Sequence, residues 1–397
     1  MRNLLTKDKT YQSIFILVCG LLLSACLVRF ALGDSNPPVA LYRSDFFCDF
    51  IFTWSSTKFR DPYNWITKSM ETAGNRCYPP LAYFISYLFY FSSDRVISFV
   101  SGLCFIILTI IFELVLVFFN LKAPLLKKFV ITIIFLFSAT VLFSFQTGNI
   151  IILAAALALV FLFGFDSDNK AVRELSYIAL ALSAGIKLYP ALFGLLILKR
   201  KRYKDAIRVV IYGLIAFFLP FLFFKGGFGN IPLFLRNVYL FGELYKFVDH
   251  PAFNFKYFAN GISDHALREL IYSIFIVVDK ILLVASVVLA LLTKVKWREV
   301  LLMSVCLIWS SIHSGLYIGL FFFAGMVFFL NDAKKNVPNT ICFLCIALIL
   351  NPLRIVMSNG KDLSNALSNI GCSCLAITMI VEIFIELFKS KKVITRT

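Results

Sequence analysis

The sequence predicts an all-α polytopic membrane protein, a helical bundle of about twelve spans with two large extracytoplasmic loops. The chain of 397 residues is 60% hydrophobic and only 15% charged, so its apolar surface exceeds what a soluble core can bury. Apolar runs near the length that crosses a bilayer recur along the whole chain, and short basic clusters separate many of them. Together these patterns predict one integral membrane domain over residues 1–397.

Twelve apolar runs are candidates for membrane spans. They lie at 12–32, 79–91, 96–119, 129–145, 149–165, 175–198, 206–225, 270–292, 299–312, 314–330, 339–357 and 366–388. Three of them (79–91, 299–312 and 314–330) are short, which leaves them open as tilted, re-entrant or longer segments.

The basic residues predict the orientation of the spans. The net charge is +17, and no basic stripe lies on a soluble domain, so we expect no nucleic-acid partner. Basic residues before the first run place the N-terminus in the cytoplasm, and alternation then places Lys199–Arg202 and the C-terminus there too. The cluster Lys122, Lys127 and Lys128 falls on the outside in this scheme, against the rule. We expect a multi-pass membrane protein with both termini in the cytoplasm.

Two loops on the outside, 33–78 and 226–269, are longer than ordinary connections and are therefore functional candidates. In the first, Asp45 and Asp49 stand four residues apart and would share a face on a helix. Two carboxylates there can supply a general base, a Mg²⁺ site or only a solvated acidic face. Cys48 and Cys77 of the same loop either form a disulfide or stay free thiols.

Polar residues inside apolar runs form a second set of candidates. Lys187 lies in the middle of the run 175–198, where a lysine costs about 3 kcal/mol, so a partner or an aqueous cavity is expected. Pro190 is expected to break that helix. Asn149 ends a polar break between two runs, and His313 lies at the junction of two short ones. Asn149 can serve a functional site or be an ordinary turn residue. His313 can serve a functional site or be an ordinary interfacial histidine.

The ordered motifs resemble a known family. They are Asp45-Phe46-Phe47, Asp61-Pro62-Tyr63, Tyr78-Pro79-Pro80-Leu81, Gly148-Asn149 and Lys187-Leu188-Tyr189-Pro190, followed by Lys199–Arg202. This set is similar to the GT-C superfamily of polyprenyl-phosphate-sugar-dependent glycosyltransferases, particularly family 87, a mannosyltransferase-like family. Glucosyltransferases that modify O-antigen are similar in size and design. The resemblance is best over residues 1–210 and implies a GT-C-like fold.

The resemblance also implies a reaction. A hexose would pass from a polyprenyl-phosphate donor to a cell-surface glycan, such as O-antigen or lipopolysaccharide, with inversion and at the outer face. Asp45 would be the catalytic base. Donor phosphate and lipid would be bound by Lys187, Arg76 and Tyr189. The assisting or substrate-binding residues would be Asp49, Tyr63, Tyr78, Asn149 and His313. No metal or other cofactor is required by that scheme, although Asp45 and Asp49 can hold Mg²⁺.

Two alternatives remain open from the sequence. An O-antigen polymerase also has many spans and two large outer loops, but it relies on arginine-rich loops, and the second loop here has only Arg236 and Arg268. A transporter or flippase would explain buried charges such as Lys187, Glu113 and Asp279, but the chain lacks the inverted repeat common in transporters.

Overall fold

The computed structural model describes residues 10–32, 46–57, 60–64, 76–89, 95–244, 259, 262–311, 315–354 and 363–394. It is 83% helical, and no strand occurs within the described ranges. The predicted all-α class is therefore confirmed.

Most of the helices lie within predicted apolar runs, whereas Cys48–Ser56 and Asn230–Leu244 lie within the predicted outer loops. Their bounds are α1 Thr10–Ala31, α2 Cys48–Ser56, α3 Pro80–Tyr87, α4 Arg95–Asn120, α5 Leu125–Leu136, α6 Ala139–Thr147, α7 Ile151–Gly164, α8 Lys170–Ile186, α9 Leu195–Lys199, α10 Tyr203–Phe218, α11 Asn230–Leu244, α12 His265–Leu292, α13 Lys296–Ser310, α14 Phe323–Asp332, α15 Val337–Leu350 and α16 Leu363–Ile394. Within the described ranges, 3₁₀ segments lie at Tyr189–Gly194, Leu219–Phe223, Gly227–Gly229 and Leu316–Phe322.

Several of these helices have the length and composition of membrane spans. Within the described residues five qualify, namely Tyr11–Ala31, Val96–Asn120, Tyr203–Phe223, His265–Leu292 and Ala366–Lys389. A sixth is added when α5 and α6, which meet at a 50° bend, are taken as one broken span. The chain is thus a multi-pass membrane protein.

Basic residues from several connections meet at one end of the bundle, which we call the basic end. Lys127 Nζ donates to Ser13 Oγ at 2.9 Å, which joins the first turn of α5 to the N-terminal end of α1. Lys122 pairs with Asp332 at 3.5 Å, and Arg200 pairs with Asp166 at 3.0 Å. These contacts place Lys122 and Lys127 on the same side as the start of α1, so the expectation that the Lys122–Lys128 cluster lies opposite the N-terminus is wrong.

The reason lies in the predicted span at 79–91. Helix α3 has only eight residues and is about 12 Å long at 1.5 Å per residue, too short to cross a bilayer. It packs beside the far ends of its neighbours, where Leu81 contacts Gly185 of α8. The chain therefore passes once from the opposite end back to the basic end before residue 120, along α4. Without the predicted span at 79–91, the chain crosses one time fewer before residue 120. Residues 120–128 therefore lie on the side of the N-terminus.

The predicted span at 175–198 also differs. Helix α8 ends at Ile186, Lys187 adopts an extended conformation, and a 3₁₀ segment then starts at Tyr189. Asp166 before α8 pairs with Arg200 after α9, so the two legs begin and end at the basic end. The run is a helical hairpin, and Lys187 lies at its tip instead of in the middle of one span. The predicted break before Pro190 is confirmed.

Within the described residues, five or six segments are long and apolar enough to cross a membrane, so the predicted number of twelve spans stays a prediction. One predicted crossing is lost and one is gained, so Lys199–Arg202 returns to the side of the N-terminus.

A charge network holds the hairpin legs at the basic end. Glu299 accepts from Lys199 at 2.9 Å and pairs with Arg200 at 2.9 Å, and its side chain is only 3% exposed. Removing the acid leaves two partly buried cations without their shared anion. Glu299→Gln is therefore expected to destabilise the protein by about 3 kcal/mol. The fall in the thermal unfolding midpoint of the purified protein measures this effect.

The matched control is Asp332→Asn at the same end. Its ion pair with Lys122 is exposed, with side-chain exposures of 50% and 68%, and exposed pairs contribute about 0–1 kcal/mol. Equal midpoints for the two variants would contradict a structural role for Glu299.

Candidate active site

The opposite end carries the cluster of polar residues that the motifs predict, and helix α2 brings the first of them. This helix begins at Cys48 and holds Asp49 in its first turn. Phe47 precedes it in a left-handed conformation, with a φ of 61°, and its N–H donates to the carbonyl of Gln146. The start of α2 is thereby attached to the last turn of α6.

Gly148 makes that attachment possible. It ends α6 in a left-handed conformation, with a φ of 62°, which side chains other than glycine adopt at a cost. A Cβ atom at this position would lie 2.8 Å from the ring of Phe47. The polar break at Gln146–Asn149 is therefore a helix end that both contacts α2 and orients the next residue, Asn149.

Asn149 joins the two halves of the cluster. Its side chain is buried, and Nδ2 donates to Asp49 Oδ2 at 2.7 Å and to the Tyr78 hydroxyl oxygen at 3.1 Å. Its Oδ1 accepts from the N–H of Ile151 at 2.9 Å, at the start of α7. All the hydrogen-bonding atoms of this amide are thus used, and they fix Asp49 relative to Tyr78.

Lys187 adds a cation to the cluster. Its Nζ lies 3.9 Å from the centre of the Tyr78 ring, a cation–π contact. Asp49, Tyr78 and Lys187 are all half-buried, so they border the interior without being sealed in it. Gly185 brings this tip close to its neighbours, because a Cβ there would lie 2.8 Å from Leu81 and 3.0 Å from Ala216. The structure therefore connects one tyrosine to a carboxylate, through Asn149, and to an ammonium.

Two further tyrosines lie next to this cluster. Tyr189 follows the hairpin tip, and its ring centroid is 5.7 Å from that of Phe321. Tyr317 stacks on Phe143 with centroids 5.7 Å apart and lies near both Tyr78 and Tyr189. Tyr317 was not predicted from the sequence, since an aromatic residue in the apolar run 314–330 gives no signal of its own.

Tyr63 and Arg76 lie behind Tyr78. Tyr63 is 3% exposed within an aromatic cluster, and its hydroxyl donates to the Tyr78 carbonyl at 3.0 Å. Burial raises the pKa of the Tyr63 hydroxyl, so it stays protonated and supports the backbone of Tyr78. Arg76 is also buried, near Tyr83 and Asp61, and its carbonyl accepts from Asn237 of α11 at 3.2 Å. Its assignment to the donor phosphate stays a prediction.

Cys48 and Cys77 are free thiols in the structure, so it shows no disulfide between them. Burial raises the pKa of the Cys77 thiol to about 11; nearby Lys187 lowers it and Asp49 raises it. Cys77 is therefore a neutral neighbour of the charged groups near physiological pH.

Asp45 and His313 lie outside the described residues. The roles given to them by the resemblance, and the placement of Asp45 relative to Asp49, stay predictions. The sequence thus predicts four residues that the structure brings together: Asp49, Tyr78, Asn149 and Lys187.

A comparison with known families decides the assignment. The model of glycosyltransferase family 87 matches residues 77–315, more than half of the chain. The chain belongs to glycosyltransferase family 87. It is therefore a membrane glycosyltransferase, in a family of GT-C type whose members are polyprenyl-phosphate-sugar mannosyltransferases. A comparison with curated proteins gives no match.

The family 87 match covers part of the cluster only. Tyr78, Asn149 and Lys187 lie within the matched residues, as does His313. Asp45 and Asp49 precede them, and the structure connects Asp49 to the matched part through Asn149. The match also favours the glycosyltransferase over the polymerase and transporter alternatives.

Proposed function

We propose that this family 87 member transfers a hexose from a polyprenyl-phosphate donor to a cell-surface glycan, such as O-antigen or lipopolysaccharide, with inversion. The observation that carries the proposal is the joining of Asp49, Asn149 and Tyr78 to the cation of Lys187 at one end of the bundle. A glycosyl phosphate donor needs a cation at its departing phosphate and a carboxylate at the acceptor. This cluster supplies the cation, Lys187, and its carboxylate, Asp49, stands four residues after the predicted base Asp45.

In the proposed reaction, Asp45 removes the proton of the acceptor hydroxyl, and the acceptor oxygen forms a bond to the anomeric carbon. The bond from that carbon to the phosphate oxygen breaks on the opposite side, which inverts the configuration. The electron pair leaves with the polyprenyl phosphate, whose added negative charge Lys187 stabilises. Asp49 and Asn149 position Tyr78 beside the sugar, and His313 assists from the facing wall. The scheme requires no metal.

The proposed setting follows from the positive-inside rule. In this proposal the basic end and both termini face the cytoplasm, and the twelve predicted spans cross a bacterial inner membrane. The cluster then lies at the outer leaflet, where a polyprenyl donor enters sideways from the lipid. The loop 33–78 serves as the catalytic loop and the loop 226–269 as the acceptor-binding loop. Helix α11 forms the first part of the second loop, and its Arg236 and Tyr239 are exposed to a ligand.

The test is an assay of sugar transfer with purified protein in vesicles. Polyprenyl-phosphate mannose and polyprenyl-phosphate glucose are supplied separately with a lipopolysaccharide acceptor, and the matching nucleotide sugars serve as the contrast. We expect transfer from one of the lipid-linked donors, no transfer from the nucleotide sugars, and the same rate after treatment with a chelator.

Two outcomes would contradict the proposal. Transfer from a nucleotide sugar alone would exclude the polyprenyl-phosphate donor. Uptake of a lipid-linked sugar into the vesicles without any transfer would favour a transporter. Loss of transfer on chelation would leave the donor assignment intact and would show that the metal-free scheme is wrong.

A further inference from the structure

The basic end contains a local excess of positive charge that the transfer reaction does not use. Four cations meet two carboxylates there, which leaves two uncompensated positive charges. The cations are Lys199, Arg200, Arg202 and Lys296, and the carboxylates are Asp166 and Glu299. Lys122 also lies near Lys296 and adds to the positive potential.

Two of the cations, Lys199 and Arg200, already use their charged groups in hydrogen bonds and ion pairs within the protein. Lys199 Nζ donates to the carbonyls of Ala290 at 2.7 Å and Thr293 at 2.6 Å, and to Glu299 at 2.9 Å. Arg200 donates to both oxygens of Asp166 and also pairs with Glu299. These contacts hold the hairpin against the α12–α13 connection, so these two residues are structural.

The other two cations, Lys296 and Arg202, make fewer contacts and can still bind an anion. Lys296 Nζ lies 4.0 Å from Asp166 Oδ2, beyond hydrogen-bonding distance, and has no hydrogen-bond acceptor among the described residues. Arg202 Nη1 donates to the carbonyl of Phe165 at 2.8 Å and lies 4.0 Å from Asp166 Oδ1. Their side chains are 40% and 33% exposed. Because both flank one carboxylate that Arg200 already neutralises, they can reach a single anion together.

The surroundings of this pair are partly apolar. Lys296 Nζ lies 4.6 Å from the ring centre of Phe328 and 5.8 Å from that of Phe165. Next to Arg202, the exposed side chains include Tyr203 and Ile207 on α10, each more than 60% exposed, as well as the basic Lys201 and Lys204. A cation pair next to exposed apolar side chains matches the boundary between lipid phosphates and acyl chains, whereas a site for a free anion needs no such surface.

We propose that Lys296 and Arg202 form a binding site for the phosphate of an anionic phospholipid headgroup, with the acyl chains lying along α10. The ammonium supplies a point charge and the guanidinium supplies directed N–H donors, both of which suit a phosphodiester. Basic sites between helices at this membrane surface favour anionic lipids over neutral ones. The bound lipid adds to the network that holds the hairpin carrying Lys187.

The experiment measures the thermal unfolding midpoint of the full chain in detergent as lipid is added. Phosphatidylglycerol, phosphatidylcholine and inorganic phosphate are compared. We expect phosphatidylglycerol alone to raise the midpoint in a saturable way. Lys296→Gln is expected to weaken binding about fivefold, which corresponds to the attraction of one cation to an anionic membrane. Lys296→Arg is expected to bind as the wild type does.

Lys335→Gln is the matched control, an exposed lysine at the basic end outside this network. An equal loss in Lys335→Gln would show diffuse attraction to the surface and would overturn the site. An equal rise of the midpoint with phosphatidylcholine, or with inorganic phosphate, would overturn the anionic lipid as the ligand. Should Lys296→Gln fail to fold, Arg202→Gln gives the same test from the other side of Asp166.

Discussion

Lys187→Met is expected to lower the rate of sugar transfer by about 10²–10³, the usual effect of removing one group that stabilises charge in a transition state. Methionine keeps most of the length of the unbranched side chain and removes its charge. The negative charge on the departing phosphate grows as the glycosidic bond breaks, so the loss falls mainly on kcat and less on the KM for the donor. Steady-state kinetics with the donor identified in vesicles measures both.

Two further variants make this test specific. Lys187→Arg keeps the cation and is expected to recover part of the lost rate. Lys225→Met removes an exposed lysine at the same end of the bundle and is expected to leave the rate unchanged. A Lys187→Met protein that folds and keeps a rate within a few-fold of the wild type would show that another group stabilises the phosphate.

The position of Lys187 shows what hydropathy can and cannot predict. The apolar runs predict where helices lie, because burial in lipid or in a packed bundle needs the same side chains. They do not show where a helix turns back. Lys187 and Pro190 indicate a break within the run 175–198, but a kinked span and a hairpin both satisfy them. The pairing of Asp166 with Arg200, 34 residues apart, decides for the hairpin.

The run 79–91 fails for a related reason. Its composition is that of a span, yet Pro79 and Pro80 start a helix of only eight residues. Aromatic packing keeps it at the end of the bundle, where the rings of Tyr83 and Tyr63 meet at 5.4 Å. The lysines at 122–128 already indicated in the sequence that the predicted span at 79–91 was wrong. The predicted topology placed them outside, against the positive-inside rule.

Site residues could be predicted from the sequence where their residue type has few other roles in that sequence context. A lysine within an apolar run and an asparagine after a glycine both indicate a polar contact, and the structure joins Asn149 to Asp49 and places Lys187 on Tyr78. Tyr63 was predicted to bind substrate or to assist, and the structure shows it buried, with its hydroxyl bonded to the backbone of Tyr78. A tyrosine that faces a ligand and one that packs behind it look the same in a sequence.

Asp45→Asn is expected to lower the rate of transfer by about 10²–10⁴, the range for loss of a general base. An amide cannot take the proton from the acceptor hydroxyl. The base acts in its ionised form, so the rate of the wild type rises with pH through the pKa of this carboxyl and levels off above it. The Asp45→Asn variant is expected to lose that rise, which a pH–rate profile over the acidic range measures.

Asp49→Asn distinguishes the two carboxylates of the first loop. Asparagine can still accept the hydrogen bond from Asn149 Nδ2, so the link to Tyr78 survives and the fold of the site is kept. If Asp49 only positions Tyr78, this variant retains the acidic rise and changes mainly the KM. If instead Asp49→Asn removes the acidic rise while Asp45→Asn keeps it, the base is the carboxylate that the structure joins to Asn149, and the assignment of Asp45 is wrong. Either result assigns the proton transfer to one carboxyl group.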